Sequence, residues 1–216
     1  NPGAGKTFVS SNLAMSIAQT NKRVVLVDVD IRKGTLSGIF SNSSNRMGLT
    51  HYLSGSTDKV DDIVGTSEEY EKLDVIFSGP VPPNPAELLL SERFDRLIAE
   101  LRKRYDYIIV DNVPAGIVAD ASIVNRVVDL TIFVVRSGVM DRRQLPELEN
   151  MYRQEQLHNL SVILNGVPLK SRGYGYGYGY GYGYGYGYGN ESHRHSHKHG
   201  KYENLKKLFS RLLKRL

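Results

Sequence analysis

The sequence predicts an α/β fold in which a mostly parallel sheet carries helices on both faces. Three observations predict it. Short apolar runs bounded by turn residues alternate with longer stretches of helical spacing, the rhythm of repeated βα units. Several runs are continuous and β-branched, as in Val24-Val25-Leu26-Val27 and Ile108-Ile109-Val110, which suits strands buried on both sides. The chain also opens on Asn1-Pro2-Gly3-Ala4-Gly5-Lys6-Thr7, which fits the second half of the phosphate-binding pattern G-x-x-x-x-G-K-[ST] and leads into a helical stretch.

Taken in order, the elements are as follows. The leading glycine of the loop pattern would fall one position before Asn1, so the strand expected to enter the loop is lacking. A helix is expected over 7–19 and a strand over 24–28. A strand over 73–77 precedes a long helix over 85–104, and a strand over 107–111 precedes a helix over 120–128. The body closes with a strand over 130–135, a helix over 145–156 and a strand over 162–164. The expectation is a P-loop NTPase-like domain over 1–171, N-terminally incomplete. A Gly-Tyr cluster and a His-rich linker over 172–200 follow, then a basic amphipathic helix over 201–216.

Composition narrows the function classes. With 216 residues, 40% hydrophobic and 24% charged, the chain has ample material for one globular core plus appendages. Cysteine is absent, which excludes disulfides and thiolate metal sites. No apolar run approaches the ~18 residues of a membrane span. The net charge of +5 misleads as an average, because residues 172–216 hold nine Lys/Arg against Glu191 and Glu203. The body is therefore close to neutral and carries no electrostatic footprint for nucleic acid.

In folds of this class ligands sit at the carboxyl ends of the strands. Two buried runs end there in carboxylates: Val24 to Val27 leads into Asp28-Val29-Asp30-Ile31-Arg32, and Ile108 to Val110 leads into Asp111. Beside a loop that holds polyphosphate, such carboxylates can bind Mg²⁺ directly or through water, or receive a proton. A lone aspartate at a strand end is as readily a cap for a turn or a helix N-terminus. Three of them joined to a phosphate loop make a site.

These residues carry a family resemblance. The hydrophobic run followed by Asp28-Val29-Asp30-Ile31-Arg32 resembles the second Walker-type motif, D-x-D-x-R, of the bacterial tyrosine kinases, and Asp111 resembles their Walker B aspartate. The segment Ser78-Gly79-Pro80-Val81-Pro82-Pro83-Asn84-Pro85 is similar to a Pro-Pro-Asn-Pro stretch of the same family, and the order of motifs over about residues 1–170 agrees. Partition and septum-site ATPases share the architecture, but they resemble one another in a lysine where this chain has Asn1. Two places depart from the kinase pattern. Asn112-Val113-Pro114 stands where many relatives have Thr-Pro-Pro or Ser-Pro-Pro, and Lys33-Gly34-Thr35-Leu36-Ser37 lacks the regulatory tyrosine some of them carry.

The resemblance implies an ATP-dependent protein-tyrosine autokinase using Mg²⁺. Backbone N–H groups of Gly3, Ala4, Gly5, Lys6 and Thr7 would hold the β- and γ-phosphates. Lys6 would compensate charge on the transferring group and Thr7 would ligate the metal. Asp28 would accept the tyrosine proton while Asp30 and Asp111 position the metal or its waters, and the roles of Asp28 and Asp30 could be exchanged. Asn165, in Ile163-Leu164-Asn165-Gly166, has two readings: a base-contacting residue as in related P-loop folds, or a turn-former before glycine.

The tail supplies the substrate. From Gly173 to Gly189 glycine and tyrosine alternate strictly, giving Tyr174, Tyr176, Tyr178, Tyr180, Tyr182, Tyr184, Tyr186 and Tyr188. With alternate glycines and no aliphatic residue to bury, the segment is expected to be flexible and able to enter a neighbouring active site. Phosphorylating all eight tyrosines would add on the order of −12 to −16 in charge. By resemblance the partners are further copies in a ring-like homo-oligomer with tails acting in trans, a transmembrane polysaccharide co-polymerase or activator fused upstream or separate, and a protein-tyrosine phosphatase. The location implied is the cytoplasmic face of the bacterial plasma membrane. His193, His195, His197 and His199 alternate with Arg194, Ser196 and Lys198, whose charges oppose metal binding, and read as a solvated linker. Leu205, Leu208, Phe209, Leu212, Leu213 and Leu216 form one face of a basic helix that fits either an anionic membrane surface or a protein partner.

Overall fold

The computed structural model describes residues 3–34, 36–40, 47–113, 120–157 and 159–168. Asn1 and Pro2, the tyrosine array, the histidine linker and the terminal amphipathic helix lie outside the described residues.

The first strand, β1 (Val24–Asp28), is buried at all five positions, as its uninterrupted apolar sequence requires. It lies between two parallel neighbours, β3 (Leu73–Ile76) and β4 (Tyr107–Asp111). A two-residue strand, β2 (Gly65–Thr66), pairs antiparallel on the far side of β3. A second sheet consists of β5 (Ile132–Arg136) and β6 (Ser161–Asn165), again parallel. The strand order is β2-β3-β1-β4 in one sheet and β5-β6 in the other.

Alternation along β1 sends its side chains into two cores. Val24 and Leu26 pack with Ala14 and Ala18 of the first helix, α1 (Lys6–Ala18). The buried face of α1 is built from Ser11, Ala14 and Ala18, and such small side chains let its backbone sit close on the sheet. Val25 and Val27 face the opposite layer, where Phe94, Leu97, Ile98 and Leu101 of α4 (Glu92–Arg104) and Leu49, Tyr52 and Leu53 of α2 (Leu49–Leu53) fill the core. Burying each of these larger side chains contributes roughly 1.5–3 kcal/mol, so this layer holds much of the stability. Helices thus cover both faces, as the sequence predicts.

Some boundaries differ. The helix expected over 85–104 is two, α3 (Pro85–Leu90) and α4, because Ser91 takes an extended backbone (φ −68°, ψ 150°) and its hydroxyl donates to the Leu88 carbonyl at 2.6 Å. The break lets Pro85 start one helix and Ser91 precede the other, so each turn of chain can aim its own apolar face inward. The helix expected over 120–128 is α5 (Asp120–Asn125), and α6 (Leu145–Arg153) stops short of 156. The strand expected over 130–135 starts at Ile132, leaving Leu130 exposed. No apolar periodicity announced α2 or β2, which are too short to show one. Among the described residues no helix is long and apolar enough to cross a membrane.

Candidate functional site

The carboxyl ends of β1 and β4 meet the amino end of α1. Gly3 (φ 73°) and Gly5 (φ 90°) both occupy left-handed backbone, which L-residues with a side chain avoid, and Ala4 between them is buried. Alternating conformations of this kind turn successive N–H groups into one concavity, and α1 follows directly with its own unpaired N–H groups and positive dipole end. The geometry is that of a phosphate cradle.

The second sheet holds this loop from outside. An Arg136 guanidinium N–H donates to the Gly3 carbonyl at 2.8 Å, and Asn165 Nδ2 donates to the Ala4 carbonyl at 3.0 Å. Asn165 Oδ1 accepts from the Gly166 N–H at 2.8 Å, so its amide is engaged at both ends. A Cβ on Gly5 would lie 2.3 Å from Asn165 Nδ2, so any side chain there would have to push the Asn165 amide aside in addition to adopting φ 90°.

Asp28 and Asp111 stand side by side at the ends of β1 and β4, as direct register partners. Asp28 has no solvent exposure; its Oδ1 accepts from the Asp30 N–H at 3.1 Å and its Oδ2 from the Leu36 N–H at 3.2 Å. Burial pushes the Asp28 carboxyl up to about 6, opposed by those two N–H donors and aided by the charge of Asp111. Burial likewise raises Asp111, while hydrogen bonds with the Thr7 and Ser10 hydroxyls and the charge of Lys6 work the other way. Lys6 is lowered by its own burial, against the attraction of Asp111 and Asp30. Asp30 is half-buried at the mouth, and its carbonyl accepts from the N–H groups of Lys33 and Gly34.

Gly3, Ala4, Gly5, Lys6, Thr7, Asp28, Asp30, Asp111 and Asn165 therefore gather on the carboxyl side of the strands. Sequence reasoning missed three contributors. Ser10 lies one turn beyond Thr7 on α1, and the i, i+3 spacing could have flagged it. Arg136 ends the Phe133-Val134-Val135 run and could have been found by the strand-end rule that found Asp111. The Leu36 N–H could not, because only the fold brings residue 36 back onto Asp28.

Among the described residues no three His, Cys, Asp or Glu side chains form a metal-holding group. Mg²⁺ does not need one: it keeps several waters and commonly takes one or two protein ligands beside substrate phosphates. A Thr7 hydroxyl in contact with the Asp111 carboxylate is a donor set of that kind.

A phosphate cradle closed over a pair of strand-end carboxylates, on a parallel sheet, defines a P-loop nucleotide-binding protein. Residues 1–136 match the family described as an AAA domain. The chain is 38% identical over 174 residues to the tyrosine-protein kinase CpsD of Streptococcus pneumoniae serotype 4, an alignment covering 81% of this chain and 76% of that one. Its structure resembles the kinase domain of Escherichia coli tyrosine kinase ETK, with TM-score 0.71 and 37% identity over 83% of this chain and 69% of that one. The chain belongs to the bacterial tyrosine-kinase family. The septum site-determining protein MinD from Pyrococcus horikoshii is also similar, with TM-score 0.61 over 76% of this chain and 66% of that one; at 22% identity this likeness speaks for the fold alone.

Proposed function

We propose that this chain is an ATP-dependent protein-tyrosine autokinase that modifies the tyrosine cluster of a neighbouring copy and thereby regulates capsular or exopolysaccharide synthesis and export. The observation that carries this reading is Asp28. It is a fully buried carboxylate, fixed by two backbone N–H groups at the end of β1, beside the Lys6–Thr7 cradle, and its proton affinity is raised to about 6. At neutral pH it is ionised yet basic enough to take a proton from a tyrosine, whose own pKa is ~10.

The position of each residue supports its role. Backbone N–H groups from Gly3 to Thr7 hold the β- and γ-phosphates of ATP, and Lys6 offsets charge on the transferring group. Thr7, with Asp111 and Asp30, would hold Mg²⁺ or its waters, and Asp28 adds a further carboxylate to that end of the site. When bound, the ion neutralises charge shared between the β- and γ-phosphates. The tyrosine oxygen bonds to the γ-phosphorus, its proton passes to Asp28 and the bond to ADP breaks. The acceptors are Tyr174, Tyr176, Tyr178, Tyr180, Tyr182, Tyr184, Tyr186 and Tyr188. Asn165 serves the phosphate loop in this reading. Residues 1–171 form the catalytic domain, 172–200 the substrate and linker, and 201–216 a helix that folds against an anionic membrane surface or a protein.

The kinase works as a ring-like homo-oligomer at the cytoplasmic face of the plasma membrane, with a transmembrane activator, fused or separate, and a phosphatase that resets the tail. Purified protein incubated with ATP and Mg²⁺ tests the central claim. Phosphotyrosine should accumulate on the tail, and Lys6→Met should abolish it; wild-type phosphotyrosine in that variant would overturn the assignment. Phosphate release without phosphotyrosine would instead identify a nucleotide-switch ATPase, and neither product a tyrosine-rich adaptor.

A further inference from the structure

We infer that Arg136, together with Asn165, is a positioning residue that sets the phosphate-binding loop from the second sheet, an inference that rests on the nucleotide-binding reading of that loop. Arg136 and Asn165 are register partners at the carboxyl ends of β5 and β6. From this one rung they reach two successive carbonyls of the loop, those of Gly3 at 2.8 Å and Ala4 at 3.0 Å.

The consequence follows from peptide planarity. In a trans peptide the carbonyl of one residue and the N–H of the next point in opposite directions. Holding the Gly3 carbonyl outward therefore aims the Ala4 N–H inward, and holding the Ala4 carbonyl outward aims the Gly5 N–H inward. Gly3 and Gly5, with φ of 73° and 90°, have no side chain to lock these planes. Left to itself, a loop with two such glycines samples many orientations and loses that freedom when phosphate binds. The external donors prepay part of that ordering, which lowers the cost of binding.

The rung is itself held in place. The Ser137 N–H donates to the Asn165 carbonyl at 2.8 Å, Asn165 Oδ1 takes the Gly166 N–H, and Gly166 turns at φ 65°. A Cβ at Gly166 would lie 3.3 Å from Arg136 Cγ and 3.5 Å from its Nε, so the guanidinium stem runs against a residue with no side chain to deflect it. Arg136 touches no carboxylate of the reaction, so its effect is expected in binding of the phosphates.

The test compares wild type, Arg136→Ala and Arg136→Lys in the full-length protein, titrated with ADP and with adenosine and assayed for phosphate transfer to a Lys6→Met chain. Arg136→Ala should weaken ADP binding and raise the KM for ATP about tenfold, the worth of one charge-assisted hydrogen bond, while lowering kcat by less. Arg136→Lys keeps a donor and should recover most of the loss. Adenosine binding should be the same in all three. An Ala variant with wild-type ADP affinity, an equal loss for adenosine, or a fall in kcat with KM unchanged would overturn the inference. Wild-type protein that binds ADP but forms no phosphotyrosine would instead overturn the kinase reading, leaving the ADP comparison intact.

Discussion

Asp28 and Asp111 face each other across one rung of parallel sheet, and the two carboxylates are 0% and 3% exposed. Two acids so placed repel when both are ionised, and burial adds to the cost. The charge of Lys6 acts on Asp111 and relieves part of it.

Transfer should depend on pH through this pair. Burial raises Asp28 to about 6, and only its ionised form can accept a proton. The kcat/KM for phosphotyrosine formation, which reports the nucleotide-free enzyme, should rise through about pH 6 and level off above it. Asp28→Asn should lose at least about 10²-fold at every pH. An initial-rate profile from pH 5 to 8.5 checks both.

Stability should move the opposite way. The folded state holds the Asp28 proton more tightly than the unfolded chain, so its contribution is present below the ordinary carboxylate pKa and is lost as pH rises through about 6. A shift of this size corresponds to about 3 kcal/mol. Asp28→Asn lacks this titration but loses one of the two acceptors for the Asp30 and Leu36 N–H groups, so in nucleotide-free protein the stability of wild type relative to the variant should rise by up to about 3 kcal/mol from pH 7.5 to pH 4. Denaturant unfolding at the two pH values reads the difference.

Gly5→Ala should damage the cradle by two routes. The new Cβ would stand 2.3 Å from Asn165 Nδ2, and the residue would be held at φ 90°. Backbone strain there costs about 1–3 kcal/mol, and displacing the amide frees the Ala4 carbonyl. Adding Asn165→Ala should restore part of the stability and none of the nucleotide affinity. Unfolding midpoints and ADP titration of the single and double variants separate the effects.

Tail modification should proceed between chains. A Lys6→Met chain with an intact tail, mixed with an active chain lacking residues 173–189, should gain phosphotyrosine. No gain would mean that transfer occurs within one chain.

Much of this was legible in the residues. Continuous runs ending in aspartate marked β1 and β4 because strands buried on both faces need unbroken apolar sequence, and Gly3 to Thr7 marked the loop in that company because Gly3 and Gly5 tolerate its left-handed backbone while Lys6 and Thr7 bring a charge and a hydroxyl. The helix break at Ser91 was missed because the apolar spacing runs through it; the signal that could have found it is a serine followed by Glu92 and Asp95 in the first turn of α4. Asn165 was legible as a strand-end residue, but its contact with Ala4 joins positions 161 apart in sequence.

Local chemistry alone therefore settled the α/β class, the phosphate loop, the identity of the carboxylates and the alternating tyrosines, since each depends on neighbours a few residues away. The tertiary structure decided what those groups experience. Register made Asp28 and Asp111 partners, the return of Leu36 fixed the Asp28 carboxylate, and burial raised its proton affinity. Arg136 and Asn165 came to the loop from another sheet. Proton affinity and loop orientation depend on dielectric and on through-space donors, and neither exists until the chain has folded.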